Sequence, residues 1–98
     1  MSLTVRKGAY FPGTVQNLAI GASSVATSNA VGSGTTIVRV SVNADAYLAV
    51  GASPTASSAN MLLPAGATEF IAVTPGVTKF AVIQVGSSAG FASITELA

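Results

Sequence analysis

The side chains that could carry proton-transfer chemistry are few in this chain of 98 residues. There is no histidine and no cysteine, and the side-chain carboxylates are Asp45, Glu69 and Glu96. Two carboxylates that face each other across a cleft could cleave a glycosidic bond as an acid and base pair. Asp45 lies in a turn-like segment, whereas Glu69 and Glu96 lie near the ends of strand-like segments. Three acids spread so widely favour solvated positions, so we predict no enzyme and no catalytic residue.

Nucleophilic and metal chemistry also lack the partners they need. Serine and threonine are abundant, but no histidine is present to activate a hydroxyl. Lys79 could act as the base, yet the SxxK motif is absent. The Gly-rich segments 32–34 and 86–90 do not lead into a helix-like segment, as a phosphate loop would, and we interpret them as hairpin turns. Calcium needs several oxygen ligands, of which Asn43 and Asp45 could supply only part. We therefore predict no cofactor and no metal.

The charge content of the chain is unusually low. Charged residues make up 7% of the sequence and the net charge is +1, whereas ordinary soluble domains carry roughly 25% charged residues. Such a surface is solvated by neutral polar side chains or covered by partner molecules, and we favour partners. Four basic residues are too few for the electrostatic footprint of nucleic-acid binding. No apolar run approaches the ~20 residues of a membrane span, and the first residues lack the apolar region of a secretory signal.

The elements that would position these side chains are strands. Short runs rich in Val, Ile and Thr, separated by Gly, Pro, Ser or Asn, predict an all-β fold of about eight strands. In TTIVRVSV (35–42), valines at alternate positions share one face, and we expect a hairpin with AYLAV (46–50) through the turn at 43–45. VTKFAVIQV (77–85) is apolar on both faces, as a central strand would be. A small antiparallel jelly-roll-like sandwich is the first interpretation, and an immunoglobulin-like sandwich is the alternative.

The N-terminal residues differ from the rest of the chain. We predict an extended arm over residues 1–14, followed by the sandwich domain over residues 15–98. The arm holds two of the four basic residues, and two aromatic residues follow them closely. Aromatic side chains anchor many protein interfaces, and cations often lie at the rims. The arm is therefore predicted to pack on a neighbouring subunit, and a frayed terminus or a first edge strand is the alternative. Its predicted interface residues are Arg6, Lys7, Tyr10 and Phe11.

A long neutral loop, GASPTASSAN (51–60), leads directly into the apolar segment MLLPAG (61–66). The loop contains no charge and no large apolar side chain. We expect it to bridge the two sheets at one end of the sandwich, where Met61, Leu62 and Leu63 would seal the core. A contact surface on a repeating lattice is the alternative role for this loop.

Residues 38–97 contain the succession YLAVG, ASPTASSAN, MLLPAG, EFIAVTPG, FAVIQVG and ITEL. This pattern of strands and turns resembles a group of small proteins encoded in the virion-structure regions of tailed bacteriophages and prophages. The resemblance implies a non-enzymatic virion component, made in the host cytoplasm, that decorates or cements the outside of the head. The implied partners are the major capsid protein and other copies of the chain, for example in a trimer. The alternative is a carbohydrate- or receptor-binding module of a phage fibre or surface protein.

Overall fold

The computed structural model describes residues 11–97 of the chain. These residues contain eight β-strands and no helix. The prediction of an all-β fold with about eight strands is confirmed. In chain order the strands are β1 (Pro12–Ile20), β2 (Val25–Ala26), β3 (Ile37–Val42), β4 (Ala46–Gly51), β5 (Met61–Leu63), β6 (Thr68–Ala72), β7 (Lys79–Gln84) and β8 (Gly90–Leu97).

The strands form two antiparallel sheets of four. Sheet A has the order β1-β8-β3-β6, and sheet B has the order β2-β7-β4-β5. The pairs β1 with β8, β2 with β7, β3 with β6 and β4 with β5 are nested, as if one long hairpin had been rolled into a sandwich. This nesting is the jelly-roll arrangement, so the first fold interpretation is confirmed and the immunoglobulin-like order is not observed.

The predicted hairpin between residues 35–42 and 46–50 is wrong, because β3 lies in sheet A and β4 lies in sheet B. The backbone changes partners within three residues. Asn43 N donates to the carbonyl of Phe91 at the start of β8 (3.2 Å), whereas the Asp45 carbonyl accepts from Val85 N just after β7 (3.4 Å). Ala44, between them, is buried in the core. The segment 43–45 is therefore a corner where the chain crosses between the sheets.

The other predicted hairpin turns are also crossings. Residues 32–34 lie between β2 and β3, and residues 86–90 lie between β7 and β8, so each segment joins strands of different sheets. The strand pair that is consecutive in the chain and hydrogen-bonded within one sheet is β4 with β5. The loop that closes this hairpin is the neutral stretch after Gly51.

The core lies between the two sheets and follows the period of two expected for strands. In β3, Val38, Val40 and Val42 are buried, while the side chains between them are half-buried. They pack in one cluster with residues of sheet B that include Leu48 and Phe80. Strand β7 lies between β2 and β4, and its residues 80–82 are buried on both faces, as its sequence predicts.

Strand β1 begins at Pro12 and pairs with the end of β8, with Pro12 opposite Leu97. The register then shifts before Val15, so the first residues of the strand carry a bulge. Pro12, Gly13 and Thr14, which were assigned to the arm, lie within β1. Residues 1–10 of the predicted arm lie outside the described residues.

Candidate docking face

The carboxylates predicted to be solvated have different surroundings. Asp45 Oδ1 accepts a hydrogen bond from Ala65 N (2.7 Å) and holds the turn between β5 and β6. Glu96 Oε1 accepts from Gly32 N (2.9 Å) and from the hydroxyl of Thr35, and so ties the β2–β3 connection to β8. Asp45 and Glu96 thus fix the positions of loops by accepting hydrogen bonds from backbone amides of those loops.

Glu69 is exposed on β6, and β3 separates it from Glu96. Glu69 is opposite Val40 on one side of β3, and Glu96 is opposite Val38 on the other. The two residues are two strand spacings apart and are offset by two residues along the strands, which places their Cα atoms about 12 Å apart. Because Glu96 already binds a backbone amide and a hydroxyl, these two acids do not form the matched pair that glycoside cleavage needs.

The segment GSSAG (86–90) has the GxSxG spacing of a nucleophile elbow, which sequence reasoning overlooked. A nucleophile elbow leads from a strand into a helix, and a histidine activates its serine. Here the segment joins β7 to β8, and the chain has no histidine. Within residues 11–97 no three His, Cys, Asp or Glu side chains are grouped to hold a metal ion.

The phenylalanines are distributed in an unusual way. Of the four in the chain, Phe80 is 1% exposed in the core, whereas Phe11, Phe70 and Phe91 are 67%, 51% and 62% exposed. Phenylalanine is normally among the most buried residue types. Exposed aromatic side chains that share a surface indicate a place where another molecule binds.

Phe70 and Phe91 lie on one surface, the outer face of sheet A. The register places Val15, Thr95, Arg39 and Phe70 in one row across β1, β8, β3 and β6. Phe91 lies on the same face of β8, four residues along the strand from Thr95, with Ser93 between them on that face. Val15 is also exposed, and Arg39 is half-buried. We call the surface formed by Val15, Arg39, Phe70 and Phe91 the aromatic face.

A row of small polar side chains lies between the two aromatic residues. It crosses the four strands, and the Ser41 and Thr68 hydroxyls lie 3.2 Å apart within it. The members of this polar row are Asn17, Ser41, Thr68 and Ser93. No described residue on the outer face of sheet A is acidic. Glu69 and Glu96 belong to the opposite face of the sheet, because they pair with the core residues Val40 and Val38.

Part of the outer face of sheet B, around Ala49 and Ala81, is covered by the chain itself. Ala56, in the neutral loop, is 4% exposed and packs with Ala49 of β4 and Ala81 of β7. The loop reaches the far side of the sheet, where Ala56 N donates to Ser24 Oγ next to β2 (2.9 Å). Asn60 Oδ1 accepts from Ser57 N (2.7 Å) and fixes the return of the loop. We call residues 52–60 the strap.

The strap therefore does not bridge the sheets, and the predicted role of the segment after it is only partly right. Leu63 is buried in the core, but Met61 and Leu62 are exposed and do not seal its end. The strap lies over sheet B because alanine at positions 49 and 81 lets the backbone approach closely. The small residues of ASPTASSAN fit this closely packed position, although the sequence does not show which surface they cover.

Of the predicted interface residues, Phe11 is exposed immediately before β1, at the edge of sheet A. Arg6, Lys7 and Tyr10 lie outside the described residues. Sequence reasoning missed Phe70 and Phe91. In TEFIAV both faces of the strand carry apolar side chains, with Phe70 on one face and Ile71 and Val73 on the other. The sequence pattern therefore does not show which face is turned to the core.

Comparison with known proteins adds no relative: no family model, no curated protein and no solved structure matches the chain. The resemblance to phage virion proteins stays a prediction. No helix that could cross a membrane occurs within residues 11–97.

Proposed function

We propose that the chain is a non-enzymatic virion structural protein that decorates the outside of a phage head and attaches through the aromatic face. The observation that carries this proposal is the exposure of Phe70 and Phe91 on one face of sheet A. At least half of each of these two phenylalanine side chains is exposed to water. A second protein that covers them removes this apolar surface from water, which is favourable for binding. Buried aromatic side chains are the usual anchors of protein interfaces.

Three further features support a role in binding rather than in chemistry. The low charge of the chain suits a surface that is largely covered after assembly. Two of the three carboxylates are engaged by loop amides. The jelly-roll sandwich presents the face on paired strands, which hold the aromatic side chains in fixed relative positions. The resemblance of residues 38–97 to virion proteins adds the phage head as the surface that is bound.

The proposal includes self-association, for example as a trimer, on the capsid lattice. Linked copies bind a repeating surface with high avidity even when each contact is modest. The predicted arm residues Arg6, Lys7, Tyr10 and Phe11 would contribute to contacts between neighbouring copies.

The test is co-sedimentation of the purified protein with heads assembled from the major capsid protein encoded in the same genome. We expect saturable binding, and replacing Phe70 and Phe91 with threonine should abolish it. Leu62→Thr is the matched control, because Leu62 is 54% exposed but lies on the edge strand β5 of sheet B. Equal loss in the control would show that any exposed apolar side chain matters, and the aromatic face would then not be the attachment site.

A second candidate function is carbohydrate binding by a fibre or surface protein. The specific observation in its favour is the polar row of amide and hydroxyl groups between two exposed aromatic rings. Sugars bind to such combinations of flat apolar surface and hydrogen-bonding groups. A glycan array probed with the wild type and the double threonine variant distinguishes the two functions: specific glycan binding without head binding favours the second.

A further inference from the structure

Arg39 has an unusual position for a charged residue. It lies on β3, between β8 and β6, and so occupies the interior of sheet A rather than its edge. Its neighbours Val38 and Val40 are buried in the core, so the arginine side chain is on the outer face. Thr95 is opposite Arg39 on one side and Phe70 on the other.

The chain supplies no carboxylate to this arginine within residues 11–97. The outer face of sheet A carries no acidic residue there, and the Asp45 and Glu96 carboxylates bind loop amides on other parts of the molecule. In the free protein this arrangement costs little, because a half-buried guanidinium keeps water around part of its surface.

A partner that covers the aromatic face changes this balance. Arg39 lies in the same row as Phe70, so a contact that removes water from Phe70 removes it from the guanidinium as well. A charge that is buried without a partner is strongly destabilising, whereas a carboxylate that binds the guanidinium through two hydrogen bonds compensates for the lost water. A purely apolar partner surface is therefore disfavoured on this face.

We propose that Arg39 is the specificity-determining residue of the aromatic face and receives the carboxylate of an Asp or Glu side chain, set among apolar residues, on the partner protein. The proposal rests on the aromatic face being the docking site, and it adds the chemistry that selects the partner. Electrostatic complementarity of this kind excludes wrong partners more than it raises the affinity for the correct one.

The test uses two capped tripeptides, acetyl-Leu-Glu-Leu-amide and acetyl-Leu-Gln-Leu-amide, as probes of matched size. Each is titrated at millimolar concentration into the isotope-labelled full chain, and NMR follows the backbone amides and the Arg39 side-chain Nε–H. We expect the Glu peptide to shift Arg39, Phe70 and Thr95, and to bind at least about fivefold more tightly than the Gln peptide. Raised salt should reduce this difference.

Variants separate charge from shape. Arg39→Gln should remove the preference for the Glu peptide, and Arg39→Lys should keep part of it, because an ammonium cannot make the planar two-bond contact. Lys79→Gln is the control, since Lys79 lies on β7 in sheet B. Equal binding of both peptides, shifts that do not include Arg39, or no binding of the Glu peptide would overturn the proposal.

The outcome is independent of the virion assignment. A Glu preference at Arg39 together with no binding to heads would contradict the proposed function and keep this inference. If the protein binds heads, Arg39→Gln leaves that binding unchanged and neither peptide is preferred, this inference is contradicted and the proposed function is kept.

Discussion

The two outer faces of the sandwich differ in what covers them. On sheet B, the strap places Ala56 on Ala49 and Ala81, and all three are nearly inaccessible. On sheet A, Phe70 and Phe91 stay exposed. A loop that covered two phenylalanines would bury far more apolar area than one that covers two alanines, and would stabilise the fold more. Within residues 11–97, the fold therefore covers alanines with a loop and leaves two phenylalanines half or more exposed. This difference is the basis on which we propose the aromatic face as the binding surface.

The largest expected effect comes from removing the exposed aromatic residues of sheet A. We expect Phe70→Thr with Phe91→Thr to weaken head binding at least about 100-fold, since a buried aromatic anchor contributes about 2 kcal/mol or more. The free energy of unfolding should change by no more than about 1 kcal/mol, because both side chains are exposed and threonine suits a strand. Quantitative co-sedimentation and urea denaturation measure the two quantities. If the variant binds heads as well as the wild type does, the aromatic face is not the attachment site and the two faces do not differ in function.

The arm gives the next largest effect. Tyr10→Ala with Phe11→Ala should weaken head or subunit binding by about 2 kcal/mol, whereas Arg6→Ala with Lys7→Ala should have a smaller effect that raised salt diminishes. Deletion of residues 1–10 should leave the melting temperature nearly unchanged, because β1 begins at Pro12. Calorimetry and sedimentation check these outcomes, and unfolding of the truncated protein would show that the arm belongs to the core.

The same substitution should destabilise the protein on one face and leave its stability nearly unchanged on the other. Ala81→Leu places a larger side chain under the strap and should destabilise the protein by about 1–3 kcal/mol. Ala19→Leu adds the same atoms to an exposed position on the outer face of sheet A and should change stability by less than about 0.5 kcal/mol. Chemical denaturation of both variants tests this, and similar losses of stability would mean that the strap is not closely packed.

The smallest expected effect is at the hydrogen bond that anchors the strap. Ser24→Ala removes the acceptor of the Ala56 amide and should cost about 1 kcal/mol. Hydrogen exchange at Ala56 should accelerate roughly fivefold if opening of the strap controls it. Ser23→Ala, at an exposed neighbouring position, is the control and should leave exchange unchanged. Head binding should be unaffected by both, because the strap lies on the other face.

The class and the number of strands could be predicted from the sequence, because the strand period and the turn residues are local signals. TTIVRVSV shows its buried face through its valines, and VTKFAVIQV shows a central position by being apolar on both faces. The pairing could not be predicted this way. Nothing in Asn43-Ala44-Asp45 distinguishes a two-strand turn from a corner between sheets, since the same short polar residues serve both. The difference lies in the distant partners, Phe91 and Val85.

The candidate site was harder to predict than the fold. Phe70 and Phe91 would ordinarily be assigned to the core by their residue type, and their exposure depends on which phase of each strand faces the other sheet. The arm residues stood out because charge and aromatic character are concentrated there. The strap had a visible composition, but its position depends on Ser24 and on two alanines far from it in the chain.

The nested pairing of the strands constrains the order in which the strand pairs can form. Leu48 pairs with Met61 close by in the chain, but Pro12 pairs with Leu97, so the cost in chain entropy of each pairing rises from the inner hairpin outward. Strand β8 lies between β1 and β3, and it carries Phe91 and Thr95. A nascent chain therefore cannot present the aromatic face until β8 has left the ribosome, whereas the hairpin of β4 and β5 can close much earlier.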